Sequence, residues 1–332
     1  MHQKIRWGIL STGDIAHSFT QDLKLLPDAD VLAVGSRKKQ SATAFAAKYD
    51  IPRAYGSYQD LANDPDVDVI YIGTPHSMHA ENSIMCMKAG KAVLCEKAFA
   101  INAREAAEMI RVAREQKVFL MEAMVTRHFP LTEQIKQLIQ DGVIGEICMV
   151  KASRCARGKF DNFTRHLNPS LGGGSLLDVG VYVVSFASMI FGSAPQKIAG
   201  FGHIGSSGSD EQGAALLEYD NGALGVLTFA LRTNAVNEAY ILGTGGYIRI
   251  DPPFAVPTRA TLQVEGKEAV VVQVPLDGRG LVYEAREVMR CLREGLTESP
   301  KMPLDESLEI MRTMDQIRGL WPLKYKNDKE QV

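Results

Sequence analysis

No C-x-x-C pair occurs among the five cysteines of this 332-residue chain, Cys86, Cys95, Cys148, Cys155 and Cys291. Their odd number and spacing exclude both a fully paired disulfide framework and a zinc ribbon. Buried, apolar, reduced thiols are expected instead. No apolar run approaches the roughly 20 residues that a membrane-spanning helix needs. The N-terminus passes from Lys4 and Arg6 straight into a short apolar strand with no signal-peptide core, so a cytoplasmic location is expected. An excess of either charge is also missing: 37 Lys and Arg against 39 Asp and Glu leave a net charge of -2. Without a cationic field, nucleic acid and anionic membranes are poor partners, and a small-molecule substrate is the better expectation. His76 and His79 lack a third ligand at suitable spacing, so no metal is expected.

What is present is an ordinary globular composition, 45% hydrophobic and 23% charged, long enough for two cores. In the first third, short β-branched runs ("KIRWGIL", "DVLAVGS", "VDVIYIGT", "KAVLCEK", "VFLMEAM") alternate with helical stretches, which predicts a parallel sheet covered on both faces. After about residue 125, eight strand-like segments follow one another, from "EICMVKASR" to "AVVVQV", and predict a mostly antiparallel sheet. Asn221-Gly222 favours a type I′ hairpin, and Glu265-Gly266-Lys267 joins the last two strands. Helices are expected near 281–293 and 304–320. The fold class is therefore α/β: a dinucleotide-binding domain over 1–124 and an α+β domain with an open, mostly antiparallel sheet over 125–332.

Directly after the first strand stands Ser11-Thr12-Gly13-Asp14-Ile15-Ala16, a glycine-loop sequence with serine in the first glycine position. Gly13 lets a pyrophosphate approach the backbone, and the following helix start offers free N–H groups and a positive dipole end. About twenty residues on, where an NAD site usually carries an acid, stand Ser36, Arg37 and Lys38. A hydroxyl and two cations suit a 2′-phosphate, so NADP(H) is expected in preference to NAD(H).

Residues 172–186, "GGGSLLDVGVYVVSF", form an apolar helix interrupted by Asp178 and Tyr182. Four positions apart, the two share one helix face. On spacing alone they fit buried structure or chemistry.

The stretch "YIGTPHSMHAENSIMCMKAGKAVLCEKAFA", through Thr74-Pro75, His79, Ala89-Gly90-Lys91 and Glu96-Lys97, resembles the glucose-fructose oxidoreductase and inositol dehydrogenase (Gfo/Idh/MocA) family. With the glycine loop and "LGGGSLLDVGVY", the likeness covers almost the whole chain in order. "FLMEAMVTR" and "LLDVGVY" look most like the branch of dimeric dihydrodiol dehydrogenases, which also act as NADP-dependent D-xylose dehydrogenases. The resemblance implies a Rossmann domain, a substrate cleft between the two domains, and a homodimer that covers the open sheet face. It also implies that Thr74, Pro75, His76, His79, Glu96 and Lys97 line the nicotinamide loop.

Many members carry histidine where this chain has Tyr182, and the dihydrodiol branch resembles it in using tyrosine. Oxidising a secondary alcohol requires its hydroxyl proton to leave as hydride moves, and a phenol with a reference pKa of about 10 needs a nearby cation to act as that base. Lys97 is the expected cation, with Asp178 orienting the substrate or the tyrosine. Arg127, Phe160, Phe163 and Arg165 are candidates for the substrate cleft or for ordinary packing. The family has proline after the lysine, whereas here Ala98 follows Lys97. A trans Lys97-Ala98 bond is therefore predicted. The resulting expectation is an NADP(H)-dependent oxidoreductase for a sugar, polyol or trans-dihydrodiol; the alternative is a non-catalytic NADP-sensing regulator on the same fold.

Overall fold

The apolar runs of the first third form six parallel strands in a computed structural model that describes residues 4–157 and 165–328. They are β1 (Ile5–Leu10), β2 (Ala29–Gly35), β3 (Arg53–Tyr55), β4 (Val69–Ile72), β5 (Ala92–Glu96) and β6 (Leu120–Ala123). Strands β4, β5 and β6 are buried along their whole length, which is why the sequence shows continuous apolar runs there and not alternation. Helices α1 (Asp14–Leu23), α2 (Lys39–Tyr49), α3 (Tyr58–Ala62), α4 (His79–Lys88) and α5 (Ala103–Gln116) make the connections. The spatial order β3-β2-β1-β4-β5-β6 reverses direction between β1 and β4, the switch point at which doubly wound sheets bind nucleotides. Phe19 on α1 stacks on Tyr71 of β4, ring centroids 3.8 Å apart, beside the buried Trp7. Each such side chain removed from water contributes roughly 1.5–3 kcal/mol.

The second half begins with α6 (Pro130–Gln140), a helix that the run of strand-like segments hid. Its buried Leu131 and Ile135, four apart behind a proline in the first turn, carry the pattern. Then follow β7 (Ile147–Cys155), α7 (Val181–Phe191), β8 (Lys197–Ile204), β9 (Asp210–Glu218), β10 (Leu224–Ala230), β11 (Ala239–Gly243), β12 (Gly246–Ile250), β13 (Arg259–Val264) and β14 (Val270–Gln273). The sheet order is β14-β13-β12-β11-β7-β10-β9-β8, antiparallel throughout except for the β7/β10 pair. Helix α7 packs on β7 and β10 and covers one face. The opposite face is open and apolar around Phe201, 88% exposed, and Leu216, 53% exposed.

The hairpin between β9 and β10 differs from the expected type I′ turn. The Gly222 N–H donates to the Tyr219 carbonyl, Tyr219 N–H donates to Ala223, and only Gly222 takes a positive φ (78°). A type I′ turn needs positive φ at both central residues. The Asn221 side chain instead accepts from the Ala223 N–H (3.1 Å), which holds a longer loop with one left-handed glycine.

Helices α8 (Leu281–Arg293) and α9 (Leu304–Gly319) close the chain near the expected positions. Two compact units result: Met1–Ala100 with Arg104–Val125 and Asp277–Ser307, and Ile101–Ala103 with Thr126–Leu276 and Leu308–Val332. A single cut after residue 124 does not describe them, because the α8 segment belongs with the first unit. The reason is a cap supplied from a distance: the Asp22 carboxylate on α1 accepts the Arg279 and Leu281 N–H groups (both 2.9 Å) at the start of α8. Four cysteines are buried as expected, whereas Cys148 is exposed. It falls at the register shift of the β7/β11 ladder, between the paired Ile147 and Met149, where the strand is still emerging from solvent. Among the described residues no helix is long and apolar enough to cross a membrane.

Candidate functional site

In the first unit the glycine loop lies at the carboxyl end of β1. Ser11 stands where the usual motif has glycine and adopts φ 115°, a region that side chains rarely occupy. Its backbone N–H donates to Gly35 O (3.0 Å), and its hydroxyl accepts the Gly13 N–H (3.2 Å). Gly13 starts α1 with no side-chain cap. Thr12 is half-buried, and Gly13, Asp14 and Ile15 are exposed. The first-turn donors are thus left for an anion. This open, uncapped helix start fits the pyrophosphate of a dinucleotide.

Ser36 is buried just past β2, while Arg37 and Lys38 are exposed. The Arg37 guanidinium lies beside Tyr58 and favours its ionised form, although burial, the larger effect, pushes that phenol up. No carboxylate occupies positions 36–38.

The stretch after β4 is held from inside. Thr74 accepts a hydrogen bond from the Asn82 amide (3.3 Å), and Pro75 leads into a short 3-10 turn, His76–Met78. His76 and His79 are both buried, edge to face. The His79 ring nitrogens lie 2.8 Å from the carbonyl oxygens of Thr74 and Ala98. His79 therefore braces the loop from within instead of presenting its ring to solvent.

The Lys97-Ala98 peptide is cis, which corrects the trans expectation. Local preference is overridden by tertiary contacts: Ala98, Phe99 and Ala100 are fully buried, the Ala98 carbonyl is bound by His79, and the Lys97 N–H donates to Glu96 (3.2 Å). Glu96 also accepts from the buried Tyr71 hydroxyl (2.6 Å). Behind it, Glu284 of α8 is fully buried. Burial, with the charges of Glu96 and Asp22, pushes its carboxyl well above the usual carboxylate range. Lys97 itself is half-buried at the carboxyl end of β5.

In the second unit the "SLLDVG" segment opens α7 with a π-helical turn, Leu176–Gly180, that contains Asp178. Such turns widen a helix locally and re-aim its side chains. The turn is anchored by Asp210, whose carboxylate accepts from the Ser175 hydroxyl and the Leu176 N–H (both 2.6 Å). Burial pushes Asp210 up to about 6, against the pull of those donors. Gly174 (φ 149°) is required here, since a Cβ would meet Asp210 at 2.1 Å.

Asp178 is buried and paired with Arg165 (3.2 Å), with His166 4.0 Å away. Tyr182 follows one turn on, half-buried, and the Arg154 guanidinium lies 5.8 Å from its ring centroid. Arg127 is buried and donates to the Ser185 hydroxyl (3.1 Å) and carbonyl (2.9 Å), so it braces α7. Phe160 and Phe163 lie outside the described residues. The structure thus gathers Asp178, Tyr182 and Arg165, and directs Arg127 into the helix packing.

The opening segment matches the family described as "Oxidoreductase family, NAD-binding Rossmann fold" over residues 5–124. Residues 132–249 match the GFO/IDH/MocA C-terminal domain. The human trans-1,2-dihydrobenzene-1,2-diol dehydrogenase is 39% identical over 98% of this chain and 99% of its own length. The chain belongs to the Gfo/Idh/MocA oxidoreductase family. The mouse dihydrodiol dehydrogenase is 41% identical with the same coverage. Among solved structures, KijD10, a 3-ketoreductase from Actinomadura kijaniata in complex with NADP and TDP-benzene, superposes with a TM-score of 0.84 at 27% identity, covering 96% of this chain and 98% of that one. This family member is an NAD(P)-dependent oxidoreductase.

Arg154, Asp210 and Glu284 are the site neighbours that sequence reasoning missed. Arg154 had a signal: in β7 the positions Val150, Ala152 and Arg154 alternate onto the covered face, where a cation is out of place. Asp210 had none, since nothing local ties it to a helix that starts more than thirty residues earlier.

Proposed function

We propose that the protein transfers hydride between NADP(H) and a secondary alcohol or carbonyl of a sugar, polyol or trans-dihydrodiol, with Tyr182 as the acid/base, assisted by Lys97. The observation that carries this is the Asp178–Tyr182 edge of α7: a phenol held half-open one turn from a carboxylate already engaged by Arg165. When bound, the nicotinamide supplies the hydride acceptor or donor. In oxidation the Tyr182 oxygen takes the hydroxyl proton, and in reduction it returns it. Lys97 contributes a positive charge that favours the ionised phenol, and Asp178, fixed by Arg165, orients the substrate hydroxyls or the tyrosine. The names of the relatives support this substrate class: a diol in the dihydrodiol dehydrogenases and a keto group in the 3-ketoreductase KijD10.

NADP(H) is favoured over NAD(H) because Ser36, Arg37 and Lys38 replace the usual acid. The open N-terminus of α1 holds the pyrophosphate, and the Thr74–His79 loop with Glu96 and Lys97 lines the nicotinamide. Two molecules pair through the open sheet face at Phe201 and Leu216, a contact that buries the exposed apolar patch. The reduced cysteines accord with a cytoplasmic enzyme.

The test is nicotinamide absorbance with NADP+ at mildly alkaline pH across D-xylose, D-glucose, inositols and a trans-dihydrodiol. Tyr182→Phe and Lys97→Met should keep cofactor binding and lose turnover. Wild-type rates in both refute the assignment. Cofactor binding without turnover on any substrate, in either direction, favours the sensor. Arg37→Asp should reverse the preference for NADPH over NADH, and Phe201→Glu should yield a monomer in light scattering.

A further inference from the structure

Arg154 reaches Tyr182 from a strand held rigid on both sides. Ser153 N–H donates to Glu238 O (3.1 Å), Cys155 N–H to Asn237 Oδ1 (2.7 Å), Asn237 Nδ2 back to Cys155 O (2.8 Å), and Ala156 N–H to Ala230 O (2.8 Å). The side chain points to the covered face of the sheet, and its guanidinium lies over the Tyr182 ring. Its Nε is buried with no hydrogen-bond partner, and among the described residues no carboxylate meets it. A half-buried guanidinium with this N–H unsatisfied gains from any negative charge that appears nearby. The ring it covers is the one that becomes anionic.

We propose that Arg154 is a positioning residue that acts through Tyr182, holding the phenolate that receives the substrate hydroxyl proton. This rests on the acid/base role proposed for Tyr182. In oxidation the C–H electron pair leaves as hydride to the nicotinamide, the O–H bond breaks to form the carbonyl, and the proton joins the phenolate oxygen to give a neutral phenol. Arg154 gains attraction whenever the ring is charged and loses it on protonation, so it favours the proton-accepting form. The other charged groups around this helix are Asp178 with Arg165 and His166 at the preceding turn, Asp210 beneath Ser175, and Arg127 bound to Ser185 at the following turn; Lys97 is the further cation that the proposed mechanism assigns to the phenol. Strand β10, on the same side, contributes none. Arg165 is committed to Asp178 and Arg127 to Ser185, whereas the Arg154 guanidinium lies 5.8 Å from the Tyr182 ring centroid and adds its charge to that of Lys97.

The test is the pH dependence of kcat and KM in wild type, Arg154→Met and Arg154→Lys. It is joined by absorbance titration of the tyrosinate band, with Tyr182→Phe subtracted to isolate Tyr182. Arg154→Met should move both the basic-form limb of kcat and the Tyr182 titration to higher pH by about one unit. Arg154→Lys should recover part of that shift, and low guanidinium concentrations should pull the Met variant back. An unmoved limb and titration in Arg154→Met, or a rise in KM alone, overturns the proposal and makes Arg154 a substrate contact. If Arg154→Met does not fold, Arg154→Gln removes the same charge, and an unmoved limb and titration there overturns the proposal equally. Full turnover in Tyr182→Phe would instead remove the catalytic reading itself, whereas an inactive Tyr182→Phe with an unshifted Arg154→Met removes only this inference.

Discussion

The two functional helices of this molecule begin in opposite ways. Helix α1 starts at Gly13 with no side chain on its first-turn donors. The helix that bears Asp178 and Tyr182 starts at Ser175, with its donors taken up by the buried Asp210. A helix start left open is a receptor for an external anion, and one closed by an internal carboxylate is a rigid mount for side chains. In the proposed function the oxidoreductase uses both: one start to hold a cofactor by its backbone, the other to aim a phenol.

The comparison is most severely broken at the open end. A Cβ at Gly13 meets nothing closer than the Ser11 hydroxyl at 3.6 Å, so Gly13→Glu should fold normally. It should weaken NADPH binding by roughly 100-fold or more, measured by fluorescence titration, because a carboxylate then occupies the anion's place. An unchanged affinity would mean that the pyrophosphate binds elsewhere.

At the closed end, Asp210→Ala strands the Ser175 hydroxyl and the Leu176 N–H. A loss of roughly 2–3 kcal/mol in unfolding free energy is expected, with turnover falling more than cofactor affinity. Equal losses of both would contradict the separation of roles.

The pH dependence sharpens the same contrast. Asp210 is held up at about 6 in the fold against an ordinary value of 3.8. The folded state therefore binds more protons between those values, and stability falls as pH rises from about 4 through 6, by at most roughly 3 kcal/mol. Asp210→Asn, whose amide oxygen can still accept both donors, should flatten that slope in denaturant titrations. Glu284, raised by burial, adds a slope of the same sign that should persist in the Asn variant.

The smallest expected effect is at Ser11. Ser11→Gly relieves the positive φ but gives up the bond to the Gly13 N–H, and a net gain of about 0.5–1 kcal/mol in stability is expected from thermal melts. A clear loss would mean that the hydroxyl matters more than the backbone conformation.

Much of the fold was legible because its signals are local or periodic. The buried runs of β4 to β6, the strand-by-strand second half and the bounds of α8 follow from apolar patterning and turn residues. The glycine loop was legible for the same reason, being a contiguous strand, glycine and helix. Helix α6 was lost among strand-like neighbours, and the β9/β10 turn was misassigned because Asn-Gly fits two loop lengths. Arg127 stood open between cleft and packing on its sequence neighbours, and its hydrogen bond to Ser185, 58 positions away, shows the packing contact that the sequence could not locate.

By itself the sequence determined the parallel first sheet covered on both faces, the strand-glycine-helix loop at its start, and the helical segment that carries Asp178 and Tyr182. Those are properties of short windows, set by steric and hydrophobic periodicity. Tertiary structure alone decided the cis bond at Lys97-Ala98, the Asp22 cap that returns α8 to the first unit, the Asp210 anchor under the π turn, and Arg154 over Tyr182. Each depends on groups far apart in the chain, brought together by burial and fixed by the cost of leaving a polar group unsatisfied.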